Sequence, residues 1–594
     1  MRPLSLPAVR ALLFAAIACC IVAVAIAIGG GLAIQLGPVA VRSHNPIRPL
    51  VFAVVFVALA LSRGTAVLSS ALAWHWDVLQ RHARTAATVL ALGTIAAGFH
   101  WGAFVAGGSD SYCYLNQAEL LARGAVRDYE PLAEDLTWPG NFWSFVPAGH
   151  MPFGQPVPAL VPICPAGYPL IMAAARVTVG RSAMFAVTPL MGGLAVYLMF
   201  LLGRHLAGPS AGLLAAALSA ASPTFLMQLF QPMNDVTAAA LWAAAVVAAI
   251  SAGARGTPLA AAGAGLLTAA ALVVRPNLVP LAAMTAAAVV VLARDRTIAA
   301  RLISGAAFAA AAAVGPLVVL SVQNAMYGSP FKSGYGDLDK MFSQAHVLPN
   351  LERYLQWSVG SHTILIVVAL AAPFALKRYG SSRTAWWLLA FAVATLACYL
   401  PYVVFDAWWY TRFLLPALLP WLALTAAVLV AAIERLPAAA RFPSFILAAT
   451  ATVTLFLHTG STRDVFRIRD LEWRFRSVGE YVATMPADAA FITLHHSGSI
   501  RFYASRSTVG WADVDKGRLD DAIAFLRRHG RRPYLLFEQW EEPQFRERFA
   551  GERLGALDWP ATAEVDGVRI YDPDDYDRQQ RGEAVKTVEI RTIR

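Results

Sequence analysis

Charge is what this chain has least of. Acidic side chains are almost missing from residues 1–458, which hold 14 Asp and Glu against 26 Lys and Arg. Over all 594 residues only 14% are charged, where ordinary soluble domains carry about 25%. That shortage excludes a soluble globular enzyme and a disordered chain. Recognised chemical signatures are missing as well. The twelve histidines include no HExxH and no His/Cys ligand spacing, and His495-His496, placed side by side on a strand, would face opposite sides and make a poor metal pair. No Walker A or Gly-x-Gly-x-x-Gly loop occurs, and no GxSxG elbow, so ATP-driven transport and serine hydrolysis lack support.

What is present is apolar. Hydrophobic residues make up 58% of the chain and the mean hydropathy is +0.54. Thirteen runs approach the ~20 residues that cross a bilayer: 11–34, 50–72, 86–106, 182–203, 206–223, 235–251, 259–274, 277–293, 302–322, 361–376, 384–404, 413–433 and 443–458. The pair around Arg275-Pro276-Asn277 reads as two spans or as one broken hairpin. Residues 459–594 differ: 22 basic and 23 acidic residues make them a water-loving segment. The expected architecture is therefore a polytopic α-helical membrane protein of about thirteen crossings with one soluble domain. The pI of 9.6 then calls for no nucleic acid.

Loop charges orient it. With the N-terminus inside, the inside segments carry 14 basic residues against Asp77, Asp295 and Glu434. Residues 459–594 then lie outside, and the expected location is the cytoplasmic (inner) membrane. Three of the five cysteines, Cys19, Cys20 and Cys398, fall within spans. Cys113 and Cys164 share one outside loop, where a disulfide and two buried thiols are both open readings.

Two outside segments, 107–181 and 323–360, are too long for connectors, and such loops are usually functional. The first opens Ser109-Asp110-Ser111-Tyr112-Cys113-Tyr114-Leu115, with helical spacing after Asp110 and a stop at Gly124. Asp110 is a candidate acid or a helix cap. A second helix is expected around Tyr168, with turns at Pro147, Pro152, Pro156, Pro158, Pro162 and Pro165. Asp235, in Gln231-Pro232-Met233-Asn234-Asp235, is the only acid between Asp135 and Asp295. An ionisable group at the end of a span is a functional candidate, with capping as the alternative. Cations recur at the same outer face: Arg275, Lys332 and Arg412. Arg412 follows Trp408-Trp409-Tyr410-Thr411, which reads as an interfacial anchor alone and as a phosphate site in company with the other two.

With those pieces placed, the chain resembles the GT-C superfamily of polytopic glycosyltransferases, in particular the branch with protein O-mannosyltransferases and lipid A aminoarabinose transferases. The likeness covers about residues 86–458 and rests on Ser109 to Leu115, on Gln231 to Asp235, and on Trp408-Trp409-Tyr410-Thr411-Arg412-Phe413-Leu414-Leu415-Pro416. It departs in placing the first acid after the third span, with residues 1–85 supplying two extra spans. The resemblance implies transfer of a sugar, with inversion, from a polyprenyl-phosphate carrier to a glycan, lipid or protein outside the cytoplasm. Asp110 would be the general base and Asp235 the second acid. Arg412, with Arg275 and Lys332, would face the lipid phosphate, and Tyr112, Trp408, Trp409 and Tyr410 would touch donor lipid or sugar. No cofactor is certain; a divalent cation is compatible. The competing reading is a transporter or flippase of lipid-linked sugars, which predicts internal repeats and a midplane site. Residues 459–594 are expected to form an α/β domain with helices at 472–484, 516–529 and 540–549 and strands at 490–494, 533–537 and 567–571.

Overall fold

The computed structural model describes residues 6–29, 31–36, 39–62, 66–135, 142–153, 159–293, 296–336 and 338–591. Arg2, Arg63, Arg294 and Asp295 from the charge reading, and Pro156 and Pro158 from the turn reading, lie outside these.

Among the described residues six helices are long and apolar enough to cross a membrane: Pro7–Gly29, Arg181–Ala207, Asn234–Arg255, Ile298–Tyr327, Trp408–Ile433 and Ala438–Ser461. Two bent pairs raise the number to eight: Pro209–Ala221 with Pro223–Leu229, bent by 60°, and Gln344–His362 with Leu365–Ala375, bent by 104°. Ile47–Ser62, Pro258–Val274 and Pro276–Val291 are shorter apolar helices. The protein is thus a mostly helical, multi-pass membrane protein. Alanine and glycine let these helices approach closely. Gly203 and Gly212 face each other's helices where any added Cβ would meet backbone, and Gly265 sits likewise against Phe308. The main core gathers Trp242, Phe200, Phe225, Phe230, Phe391 and Phe456.

One expected boundary is wrong. The runs 50–72 and 86–106 were separated by a loop carrying Asp77, Arg81 and Arg84. In the structure Ala66–Trp101 is one helix of 36 residues. At 1.5 Å per residue it is about 54 Å long, well beyond a ~30 Å hydrocarbon core, so its polar stretch runs on past the apolar layer. No proline interrupts it, and its polar side chains tie to neighbouring helices: Gln80 bonds Ser210, and Arg84 Nε donates to the Tyr197 hydroxyl at 3.1 Å. The Arg275 junction resolves as two helices, with the chain turning at Arg275-Pro276, where proline begins a new helical turn.

The first long outside segment folds as helix Asp110–Ala122, a three-stranded sheet and helix Gly167–Thr178. The sheet orders Asp128–Tyr129, Ala159–Pro162, His150–Phe153. Pro152 and Pro162 therefore lie in strands rather than turns; so small a sheet has edges enough to spare the missing N–H groups. Cys113 and Cys164 are disulfide-bonded, joining the first helix to the segment before the second. Closing a 51-residue separation in this way is worth about 4 kcal/mol on chain-entropy grounds.

After helix Ile468–Thr484 the chain builds a six-stranded mixed sheet. Ala489–Ile492 pairs in parallel with Ser507–Val509 and Arg532–Glu538, and Val568–Tyr571 returns antiparallel to Arg532–Glu538. Helix Ser497–Ala504 and strand Ser507–Val509 have no counterpart in the sequence reading. The first packs on helix Asp110–Ala122. Around it the sheet unit is tied to the first outside segment, where the Arg501 guanidinium pairs with Glu130 at 2.6 Å and the Ser497 hydroxyl accepts from Ala148 N at 3.1 Å, and to the residue before that segment, where the Tyr503 hydroxyl accepts from Ala106 N at 2.8 Å.

Candidate active site

Asp110 and Asp235, 125 residues apart in sequence, line one cavity of about 1090 Å³ together with Arg275, Lys332, Tyr410 and Arg412. Tyr114, Tyr335, Tyr399, Tyr402, Phe405 and Phe413 supply much of its aromatic wall.

Neither acid caps its helix. Asp110 is the first residue of Asp110–Ala122, and the preceding Ser109 makes no side-chain cap bond. Its carboxylate Oδ2 instead accepts from Arg412 Nη2 at 3.0 Å. Asp235 is the second residue of Asn234–Arg255, whose cap position is Met233. It pairs with Arg275.

The two pairs differ in access, and this assigns them different work. Asp235 is 1% exposed, and Arg275 is buried beside it. Arg275 also donates to Asn234 Oδ1 at 3.2 Å and to the Tyr399 hydroxyl at 3.1 Å, so its donors are largely committed. The Asp110 side chain is 48% exposed and can meet an incoming group. Arg412 is mostly buried between the rings of Tyr410 and Phe413, at 5.0 and 5.2 Å, and its Nε has no hydrogen-bond partner. A buried guanidinium N–H left open is costly unless a ligand takes it. Asp235 Oδ2 is likewise buried and without a partner. Lys332 is exposed at the cavity, and among the described residues it has no ion-pair partner.

Three expected contacts stand elsewhere. Tyr112 does not line the cavity. It is buried against His150, at 5.0 Å between rings, and against Gly498 of the sheet unit. Trp408 stacks under the Arg463 guanidinium at 4.6 Å, and Trp409 points to the surface. The sequence reading did not single out Asp339, a third acid at the cavity, or the tyrosine wall. Their signal was weak: Asp339 is one of several charges in a polar loop, and the tyrosines are scattered over 288 positions from Tyr114 to Tyr402.

His495 and His496 correct another expectation. The chain turns after Ile492, so both rings converge on one oxygen of Glu538, at 2.8 and 3.2 Å, rather than facing apart. Arg474 Nε joins them at 2.9 Å. Burial opposes ionisation of Glu538, but the two histidine hydrogen bonds and the Arg474 charge hold its carboxyl well below the usual range. His496, by contrast, is kept neutral by burial, its pKa lowered to about 4.

Residues 86–253 match the family described as oligosaccharyl transferase STT3, N-terminal. The match lies within the region read as GT-C-like, and the chain is similar to GT-C membrane glycosyltransferases. Among solved structures, the oligosaccharyltransferase of Archaeoglobus fulgidus in complex with zinc and sulfate is 11% identical, with 79% of this chain and 70% of that chain covered and a TM-score of 0.47. ArnT from Cupriavidus metallidurans in the apo state is 14% identical, covering 80% and 95%, with a TM-score of 0.49. The same protein bound to undecaprenyl phosphate is 12% identical, covering 78% and 94%, with a TM-score of 0.45. No curated protein matches the chain. No cofactor is certain. One of these structures contains zinc, whereas among the described residues here no three His, Cys, Asp or Glu side chains gather to hold a metal. The cationic side chains that line the cavity are Arg275, Lys332 and Arg412.

Proposed function

We propose that the protein is a glycosyltransferase that moves a sugar from a polyprenyl-phosphate carrier to an acceptor hydroxyl outside the cytoplasm, with inversion. The observation that carries this reading is the cavity itself. It combines an accessible carboxylate, a buried guanidinium with an open donor, and an exposed lysine within an aromatic wall.

The chemistry follows from those groups. A hydroxyl is a poor nucleophile near neutral pH, and a carboxylate that takes its proton as the bond forms contributes ~10²–10⁴-fold. Asp110 is the base. The acceptor oxygen bonds to the anomeric carbon as the bond from that carbon to the phosphate oxygen breaks, and the proton passes to Asp110. The electron pair leaves with the phosphate, and Arg412 Nε and Lys332 stabilise its growing charge. Asp235, held by Arg275, orients the site rather than abstracting a proton. Tyr410, its ring held between Phe405 at 3.9 Å and Arg412 at 5.0 Å, lines the cavity where the sugar or lipid would lie.

Thirteen crossings, with the N-terminus inside the cytoplasmic membrane, fit this placement. Counting each bent pair as one crossing, the six long apolar helices, the two pairs, the three shorter apolar helices, and the helices Ala66–Trp101 and Ser382–Tyr399 support that count. The helices before Ala66–Trp101 are then the N-terminal addition, the chain from that helix to residue 458 the catalytic unit, in place of a start at 86, and 459–594 the outside domain. The Cys113–Cys164 disulfide favours an oxidising compartment for the segment that carries Asp110. A transporter is disfavoured by the placement of both acids at helix N-termini rather than at mid-span. Release of free polyprenyl phosphate from a donor by the purified protein is the test.

A further inference from the structure

Among the described residues the chain breaks two helical spans, and the residues at the two breaks bond to each other. Ser222 stands between Pro209–Ala221 and Pro223–Leu229; His362 ends Gln344–His362 before Leu365–Ala375. The Ser222 hydroxyl and His362 Nε2 are 2.8 Å apart, and both residues are buried. The hydroxyl also accepts from Phe225 N at 3.4 Å, as the cap of helix Pro223–Leu229. The hydroxyl has a second lone pair and a proton left for His362 Nε2, so the two groups are hydrogen-bonded whichever ring nitrogen carries the proton.

The second break is strained. Thr363 has φ 59° and ψ −170°, a backbone region that a β-branched residue rarely adopts. Such a conformation persists only when its surroundings over-determine it, and here they do. Arg463 donates to the Ser361 hydroxyl at 2.7 Å and to the Gly360 carbonyl at 3.1 Å while stacking on Trp408. The Phe456 ring meets His362 edge-on at 5.0 Å.

What the break holds is the cavity floor. Helix Pro223–Leu229 leads through Phe230 to Met233 directly into Asn234 and Asp235. From its first turn Thr224 Oγ1 lies 3.1 Å from Thr411 Oγ1, next to Arg412. The short helix after the first break thus runs on into the chain that carries the second acid and bonds the chain that carries the phosphate cation.

We infer that His362 is a positioning residue: through Ser222 it fixes helix Pro223–Leu229, and thereby sets Asp235 and Arg412 for catalysis. This rests on the glycosyltransferase reading above, but its structural half can be measured without activity.

His362→Phe keeps a ring against Phe456 and removes the hydrogen-bonding nitrogen, whereas His362→Gln offers an amide, able to donate or accept, near the position of Nε2. For His362→Phe in lipid bilayers, release of polyprenyl phosphate should fall about tenfold or more, since a displacement near 1 Å is enough to cost that much. His362→Gln should restore most of it. Amide hydrogen exchange over 223–235 should speed up in the Phe variant and not in the Gln variant. In an Arg412→Ala background His362→Phe should add little further loss, because the two act through one arrangement. If His362→Phe fails to fold, Ser222→Ala should show the same pattern. Wild-type turnover in His362→Phe, or a loss fully additive with Arg412→Ala, overturns the inference. A wild-type protein that releases polyprenyl phosphate from no donor overturns the transferase reading instead; exchange over 223–235 then decides the contact alone, and unchanged exchange overturns it.

Discussion

At the scale of the residue, the two arginines of the cavity answer to different tests. Arg412 has a buried Nε with no partner, while Arg275 is held by Asp235, Asn234 and Tyr399. Arg412→Ala should leave a folded protein that uses its donor poorly. Losing one charge-assisted contact to phosphate costs about 2–3 kcal/mol, roughly 30–150-fold. Arg275→Ala should act first on the protein itself, because it strands the buried Asp235 carboxylate at a cost of about 3–5 kcal/mol. Donor kinetics set beside thermal unfolding of both variants separate the two roles. Unchanged donor turnover in Arg412→Ala would make Arg412 an interfacial anchor only. The acids were legible in the sequence because a carboxylate stands out where acids are rare. The roles of Tyr112 and Trp408 were not, because Gly498 and Arg463, which claim them, are distant in the chain.

At the scale of the element, the helix that begins with Asp110 is held from outside. A Cβ on Gly498 would stand 2.2 Å from the Tyr112 ring, so helix Ser497–Ala504 seats against helix Asp110–Ala122 only because that position is bare. Gly498→Ala forces the tyrosine aside. Such overpacking costs about 1–3 kcal/mol and should lower both the unfolding temperature and the turnover, since Tyr112 lies two residues from Asp110, the base we propose. Pairing Gly498→Ala with Tyr112→Ala should recover part of the turnover; a strictly additive loss would show that the contact does not position Asp110. The helix after Asp110 was readable from apolar spacing and the stop at Gly124. Helix Ser497–Ala504 was not: at eight residues it is too short for a periodic signal, and its apolar residues divide between the sheet core (Ile500, Ala504) and the first outside segment (Phe502, Tyr503). The continuous helix Ala66–Trp101 was misread for the opposite reason. Charges in its middle imitate a loop, although a helix longer than the bilayer is thick can carry them in water.

At the scale of the whole molecule, the account needs the cavity, the disulfide and the C-terminal sheet on one side of the membrane. With thirteen crossings and the N-terminus inside, Asp470→Cys should react with a membrane-impermeant thiol reagent in intact cells and Arg383→Cys should not; the reverse pattern would turn the site towards the cytoplasm. The central claim is narrower still: that Asp110 takes the acceptor proton as a lipid phosphate departs. Asp110 makes no cap bond, so Asp110→Asn keeps the helix; it removes the basic oxygen and the charge paired with Arg412, while its amide oxygen can still accept from Arg412 Nη2. The deciding measurement is release of free polyprenyl phosphate in lipid bilayers from a panel of polyprenyl-phosphate sugars, with envelope glycans and lipids as acceptors. Wild-type protein should release it from at least one donor, and a folded Asp110→Asn variant should do so ~10²–10⁴-fold more slowly. A fully active Asn variant, or wild-type protein that releases none from any donor, would contradict the claim.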